Sequence, residues 1–165
     1  MPLPLDLVFA QRVALASLFV FDARADLDED SRALGPNNYR LRGGGANSNR
    51  GFVAGTLGVG LDGGTRRWET SLELRVPIGQ SFVVAGFADF GDVSRDGPFR
   101  FNHLNTTLGY GLRYHTVIGA IRFDVGYRVR AWQRTDGSNG IEPEANELLF
   151  SNTPGAMHLT IGDPF

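Results

Sequence analysis

The residues able to do chemistry in this chain are scattered, and each candidate centre lacks a necessary part. Gly58, Gly60 and Gly63 spell the G-x-G-x-x-G of a dinucleotide site. However, Thr65-Arg66-Arg67 then leads into a predicted strand, whereas a pyrophosphate site needs a following helix. His103, His115 and His158 have no i, i+4 pairing and no neighbouring carboxylates, so they read as solvated or inward-facing side chains rather than metal ligands. Asp26, Asp28, Glu29 and Asp30 form an acidic run without the glycine and distal glutamate of a calcium loop, and read as a solvated loop. Asn105-Thr106-Thr107 is a glycosylation sequon, but it lies inside a predicted strand. No serine, histidine and carboxylate stand at motif spacing. The absence of cysteine removes thiolate zinc sites, cysteine nucleophiles and disulfides. No catalytic residue, metal site or cofactor is expected, and the chain does not read as an enzyme.

The dominant pattern is instead period-two alternation, which sends successive side chains to opposite faces of a strand. Over Leu104 to Tyr114, Asn105, Thr107, Gly109, Gly111 and Arg113 oppose Leu104, Thr106, Leu108, Tyr110, Leu112 and Tyr114. Over Ile121 to Trp132, Arg122, Asp124, Gly126, Arg128 and Arg130 oppose Ile121, Phe123, Val125, Tyr127, Val129 and Ala131. From Trp68 to Val76, Glu69, Ser71, Glu73 and Arg75 share one face. Asp6 to Phe21, Ser81 to Gly91 and Met157 to Phe165 read as further strands, giving about six, with no convincing helix.

The connections alternate in length. Pro77 to Gln80 and Thr116 to Gly119 are tight, whereas Asp22 to Arg67, Asp92 to His103 and Gln133 to Gly155 are long and rich in Gly, Asn, Asp, Ser and Pro. Short turns on one side, long loops on the other and strands of about ten residues with apolar and polar faces describe an outer-membrane β-barrel. A soluble β-sandwich also alternates, and patterning alone leaves that alternative open, although it gives no reason for loop lengths to alternate.

Composition narrows the partners. The formal net charge is -2, so no broad basic field exists to neutralise phosphates, and nucleic acid is not an expected partner. The longest apolar region, Val13 to Phe21, is broken by Ser17 and flanked by Arg12 and Asp22, too short for a membrane-spanning helix. The opening Met-Pro-Leu-Pro-Leu-Asp lacks the features of a secretory signal. Either an export signal lies upstream in a longer parent chain or the protein is not exported.

The long first loop contains Arg42-Gly-Gly-Gly-Ala-Asn-Ser-Asn-Arg50-Gly51-Phe52. It resembles the Gly-Gly-x-x-Ser-(Val/Asn)-Arg-Gly-(Tyr/Phe) motif of the BamA/TamA-type bacterial surface antigen superfamily of outer-membrane assembly and translocation barrels. Ser71 to Pro77, Gly86 to Val93, Gly109 to Tyr114, Ile121 to Tyr127 and the terminal His158 to Phe165 follow in the order of that family. Asn49 stands where the family more often has valine, and Asp163 falls where strict alternation meets lipid.

The resemblance implies an all-β fold: an antiparallel transmembrane β-barrel of sixteen strands, of which this chain supplies the C-terminal part, about strands eleven to sixteen. It implies a lumen-folding loop over about Asp22 to Arg67, with no POTRA modules in this chain. It also implies that Asn49, Arg50, Gly51 and Phe52 form a loop-lock motif whose arginine pairs with Glu73 and Asp89. Such a cluster would either hold the loop in place or act on a substrate. Met157, Leu159, Ile161 and Phe165 would belong to a closing strand that acts as half of a lateral gate.

The expected location is the bacterial outer membrane, and the expected work is protein insertion or translocation. A two-partner secretion pore and a soluble β-sandwich binding module are the alternatives. The expected partners are outer-membrane lipid, unfolded outer-membrane or secreted client proteins, periplasmic or lipoprotein accessory subunits, and the remainder of the barrel in a longer parent chain. Six strands cannot close such a barrel, and edges open to lipid would leave backbone groups unsatisfied.

Overall fold

The computed structural model describes residues 7–21, 29–117, 119–129, 132, 148–149 and 153–162. Among these, strands β1 (Val8–Ser17), β2 (Arg66–Ile78), β3 (Phe82–Ser94), β4 (Asn105–Thr116), β5 (Gly119–Arg128), β6 (Leu148–Leu149) and β7 (Thr153–Ile161) form one sheet. The order is β1-β2-β3-β4-β5-β7-β6, and every pairing is antiparallel. Apart from the two-residue β6, sequence neighbours are spatial neighbours, so the sheet is an up-and-down meander. The first long connection contains one short helix, α1 (Glu29–Leu34), and two single 3-10 turns, Asn37–Tyr39 and Gly60–Asp62. No helix of the described residues is long and apolar enough to cross a membrane.

Several strand bounds differ from the sequence reading; β1, for one, ends at Ser17 rather than Phe21. β3 runs on to Ser94, because Val93 and Ser94 still pair with Arg67 and Arg66. β5 stops at Arg128 rather than Trp132, since the Trp132 N–H closes a turn on the Val129 carbonyl. β7 begins at Thr153 rather than Met157, and Gly155, which reads as a turn signal, pairs with Tyr127 instead. The helix α1 and the short β6 were not legible as elements. Asp163 and Phe165 lie outside the described residues.

The two faces of the sheet are the reverse of a soluble protein's. Phe9, Val13, Leu15, Leu74, Val84, Leu108, Leu112, Phe123, Met157, Leu159 and Ile161 are exposed on the outer face. One row of it, Val76-Val84-Leu112-Phe123-Leu159, crosses five strands in register. Glu69, Ser71, Glu73, Asp89, Thr107, Arg113, Arg122, Asp124 and Arg128 are buried on the inner face. Leu159 is 73% exposed while Asp124, on the adjacent strand, is fully buried. A sandwich buries its apolar face, so this sheet is instead a section of barrel wall, apolar toward lipid and polar within.

Three inner-face rows position the site. Arg12, Ser71, Asp89, Thr107 and Arg128 are in register across β1 to β5. Beside them run Glu73, Phe87, Gly109, Gly126 and Ala156, and then Arg75, Ala85, Gly111, Asp124 and His158. Small residues in the two latter rows make room for their neighbours: the Phe87 ring at Gly109, the Asp124 carboxylate at Gly111 and the Arg50 backbone at Gly126.

Candidate functional site: a loop seated on the inner face

The loop between β1 and β2 folds back over this face. Its glycines permit the path. Gly44 and Gly45 have φ of 92° and 100°, a region that side chains disfavour, and a Cβ on Gly44 would stand 2.5 Å from the Val53 carbonyl oxygen. The Gly45 N–H then donates to the Phe52 carbonyl at 2.9 Å, and the Ser48 N–H to the Gly45 carbonyl at 3.0 Å, closing a tight turn that presents Asn49 to Phe52 to the sheet. Phe52, Leu57 and Val93 pack as a small buried apolar cluster, which anchors the loop beyond the turn.

Arg50 is 2% exposed and is held from two strands. Its Nε donates to Asp89 Oδ2 at 2.8 Å and its Nη2 to Asp89 Oδ1 at 2.8 Å, a bidentate fork. Its Nη1 donates to Glu73 Oε2 at 2.6 Å, and its Nη2 also reaches Ser71 Oγ at 3.1 Å. The Ser71 hydroxyl in turn donates to Asp89 Oδ1 at 2.6 Å. The guanidinium lies 3.4 Å above the Phe87 ring centre, a cation–π contact made in a desolvated setting. Burial alone would lower the Arg50 pKa, but hydrogen bonds and charge from Asp89, then Glu73, outweigh it and raise the pKa above the usual arginine value.

The acidic partners are themselves shared. Glu73 also meets Arg113 Nη2 at 2.7 Å and Arg75 Nε at 2.7 Å. Asp124 lies 2.8 Å from Arg122 Nε, 3.5 Å from Arg113 Nη1 and 4.0 Å from Arg50 Nη1. None of the three approaches to Asp124 is aligned as a hydrogen bond, so it acts on the arginines through charge. In this cluster Arg50, Arg75, Arg113 and Arg122 meet Glu73, Asp89 and Asp124.

Backbone and neighbouring side chains of the turn are gripped as well. Arg128 Nε donates to the Gly51 carbonyl at 2.8 Å, and its guanidinium stacks 3.8 Å from the Phe52 ring centre. Asn49 Nδ2 donates to the Asn105 carbonyl at 2.8 Å, and Thr107 donates to Asn49 Oδ1. Arg122 and Arg12 reach the carbonyls of Ala46 and Asn47, each at 2.6 Å. Two glycines make the approach possible: a Cβ on Gly51 would sit 2.2 Å from Thr107 Oγ1, and one on Gly126 would sit 2.5 Å from the Arg50 carbonyl oxygen.

The model of the Omp85 superfamily domain matches residues 36–147, more than half of the chain. The chain belongs to the Omp85 superfamily. No curated protein matches it. Members of the Omp85 superfamily are outer-membrane proteins concerned with protein assembly and translocation, in keeping with the exposed apolar outer face and the buried charged inner one. The matched region of this Omp85 chain contains the whole Arg50 turn and β2 to β5, and leaves out β1 and β7.

The structure thus brings Asn49, Arg50, Gly51 and Phe52 together with Glu73 and Asp89. Met157, Leu159 and Ile161 are on the outer face, away from this cluster, and Phe165 is outside the described residues. Ser71, Phe87, Arg113, Asp124, Arg128 and His158 also belong to the site but were not singled out for it. The charged face of β5 was visible in the alternation of Arg122, Asp124 and Arg128; that it meets the loop follows only from register.

Proposed function

We propose that this chain is the C-terminal segment of a BamA/TamA-like barrel that inserts or translocates other proteins through a lateral opening. The observation that carries the reading is the Arg50 turn, seated on the inner face by Glu73 and Asp89. A loop clamped there by buried ion pairs occupies space that a simple pore would leave open. Breaking such pairs is costly, about 3–5 kcal/mol, so the clamp fixes one loop position rather than many.

On this reading the outer face of β1 to β7 contacts lipid, and the free edges of the sheet pair with further strands of a longer parent barrel. Unfolded outer-membrane or secreted proteins are the clients, and an incoming client strand adds by β-augmentation to the edge of β7 beyond its two-residue pairing with β6. Periplasmic or lipoprotein subunits would deliver them, and no catalytic step is required.

The test is a disulfide joining the first and last strands of the native barrel, in a chain segment that has no cysteine of its own. Lateral opening predicts that client assembly stops under oxidation and resumes on reduction. Assembly that continues with the strands joined rules the lateral route out. Single-channel recording separates the two-partner secretion pore: a stable open conductance favours the pore, and a largely plugged barrel favours the assembly factor.

A further inference from the structure

One contact ties the loop to the terminal strand. His158 Nε2, on β7, lies 3.1 Å from the carbonyl oxygen of Arg50. A carbonyl only accepts, so Nε2 carries the hydrogen and His158 donates. His158 is the register partner of Asp124 on β5, and Asp124 is the carboxylate 4.0 Å from the Arg50 guanidinium. Gly126, which pairs with Ala156 in the adjoining register position, supplies the floor on which the Arg50–Gly51 peptide rests. The two ends of Arg50 are therefore held by different parts of the wall: the guanidinium by β2 and β3, the carbonyl by β7.

We propose that His158 is a positioning residue that couples the seating of the loop to the pairing of β7 with β5. While β7 is in this register, His158 fixes the Arg50 peptide and the guanidinium reaches Glu73 and Asp89 together. When β7 leaves β5, the donor leaves with it and the turn loosens. Coupling between two sites is reciprocal, so a displaced loop also weakens the β5–β7 seam. The inference goes beyond the lateral-opening reading, because the β5–β7 pairing lies one strand inside the edge at which a client strand would add.

The experiment uses the native protein in outer membranes, with trypsin cleavage after Arg50 as the measure of loop release. His158→Leu removes the donor and should speed cleavage about fivefold, the scale of one neutral hydrogen bond. His158→Gln, whose amide can donate, should restore most of the protection. Hydrogen exchange over Gly155 to Ile161 should quicken in Arg50→Ala and in His158→Leu, and the double variant should show less than the product of the two effects.

Unchanged cleavage in His158→Leu, equal cleavage in the Leu and Gln variants, or fully multiplicative exchange rates would each overturn the coupling, whatever client assembly does. If the coupling appears but client assembly survives the joined-strand disulfide, the coupling stands and the lateral-opening reading falls.

Discussion

Arg50 is joined to Asp89 three times: its backbone N–H donates to Oδ2 at 3.0 Å, its Nε to Oδ2 at 2.8 Å and its Nη2 to Oδ1 at 2.8 Å. One carboxylate on β3 therefore fixes both the position of the loop backbone and the orientation of the side chain. Glu73 adds a second anchor one strand away, and the Phe87 ring covers the guanidinium face.

Arg50→Ala should free the loop and leave Glu73 and Asp89 buried with fewer partners, at a cost of about 3–5 kcal/mol. Arg50→Lys should recover only part of this, because an ammonium cannot form the fork to Asp89. Protease sensitivity of the Arg42 to Phe52 segment and the unfolding temperature of the barrel both report it. Equal protection in wild type and Arg50→Ala would contradict the clamp.

The carboxylates should rank. Asp89 receives aligned hydrogen bonds from the loop, whereas Asp124 acts on the arginines by charge alone. Asp89→Asn should therefore release the loop more than Asp124→Asn, measured by the same cleavage assay. A larger effect at Asp124 would show that the charge of the cluster, rather than directed bonding, seats the turn.

Gly126 closely approaches the Arg50 backbone and Gly51 the Thr107 side chain, which predicts an effect of single methyl groups. Gly126→Ala and Gly51→Ala should each cost about 1–3 kcal/mol through overpacking at the seat of the loop. Gly86→Ala is the matched control: nothing lies within 4 Å of its added Cβ, so its effect should stay within about 0.5 kcal/mol. Thermal unfolding of the three variants in detergent measures the contrast.

The outer face predicts a depth-dependent cost of charge. Leu112 and Phe123 are register partners on that face, and arginine at either should cost about 2–4 kcal/mol near the bilayer midplane. Folding yield into bilayers reads this directly. Free tolerance of arginine at both positions would show that the face meets water.

Much of this was legible because alternation encodes faces. Glu73, Arg113, Arg122 and Asp124 fall on the polar side of their strands by parity alone, and the structure buries all four. The start of β7 was hidden because Pro154 and Gly155 read as turn residues, although both are buried within the strand. Gly109, Gly111 and Gly126 read as members of the polar faces of their strands, but that their missing side chains admit Phe87, Asp124 and the Arg50 backbone respectively follows only from the structure. His158 was the least legible, since its contact with Arg50 joins positions 108 residues apart and depends on the β2–β3, β3–β4, β4–β5 and β5–β7 registers at once.

On the proposed function, the native protein assembles or translocates others through a barrel whose loop is clamped by Arg50. The most direct measurement is depletion of the native protein from its host, with complementation by wild type or Arg50→Ala and quantification of folded, heat-modifiable client barrels in the outer membrane. Folded clients should fall on depletion, return fully with wild type and return only in part with Arg50→Ala. Client levels that do not change on depletion would contradict it.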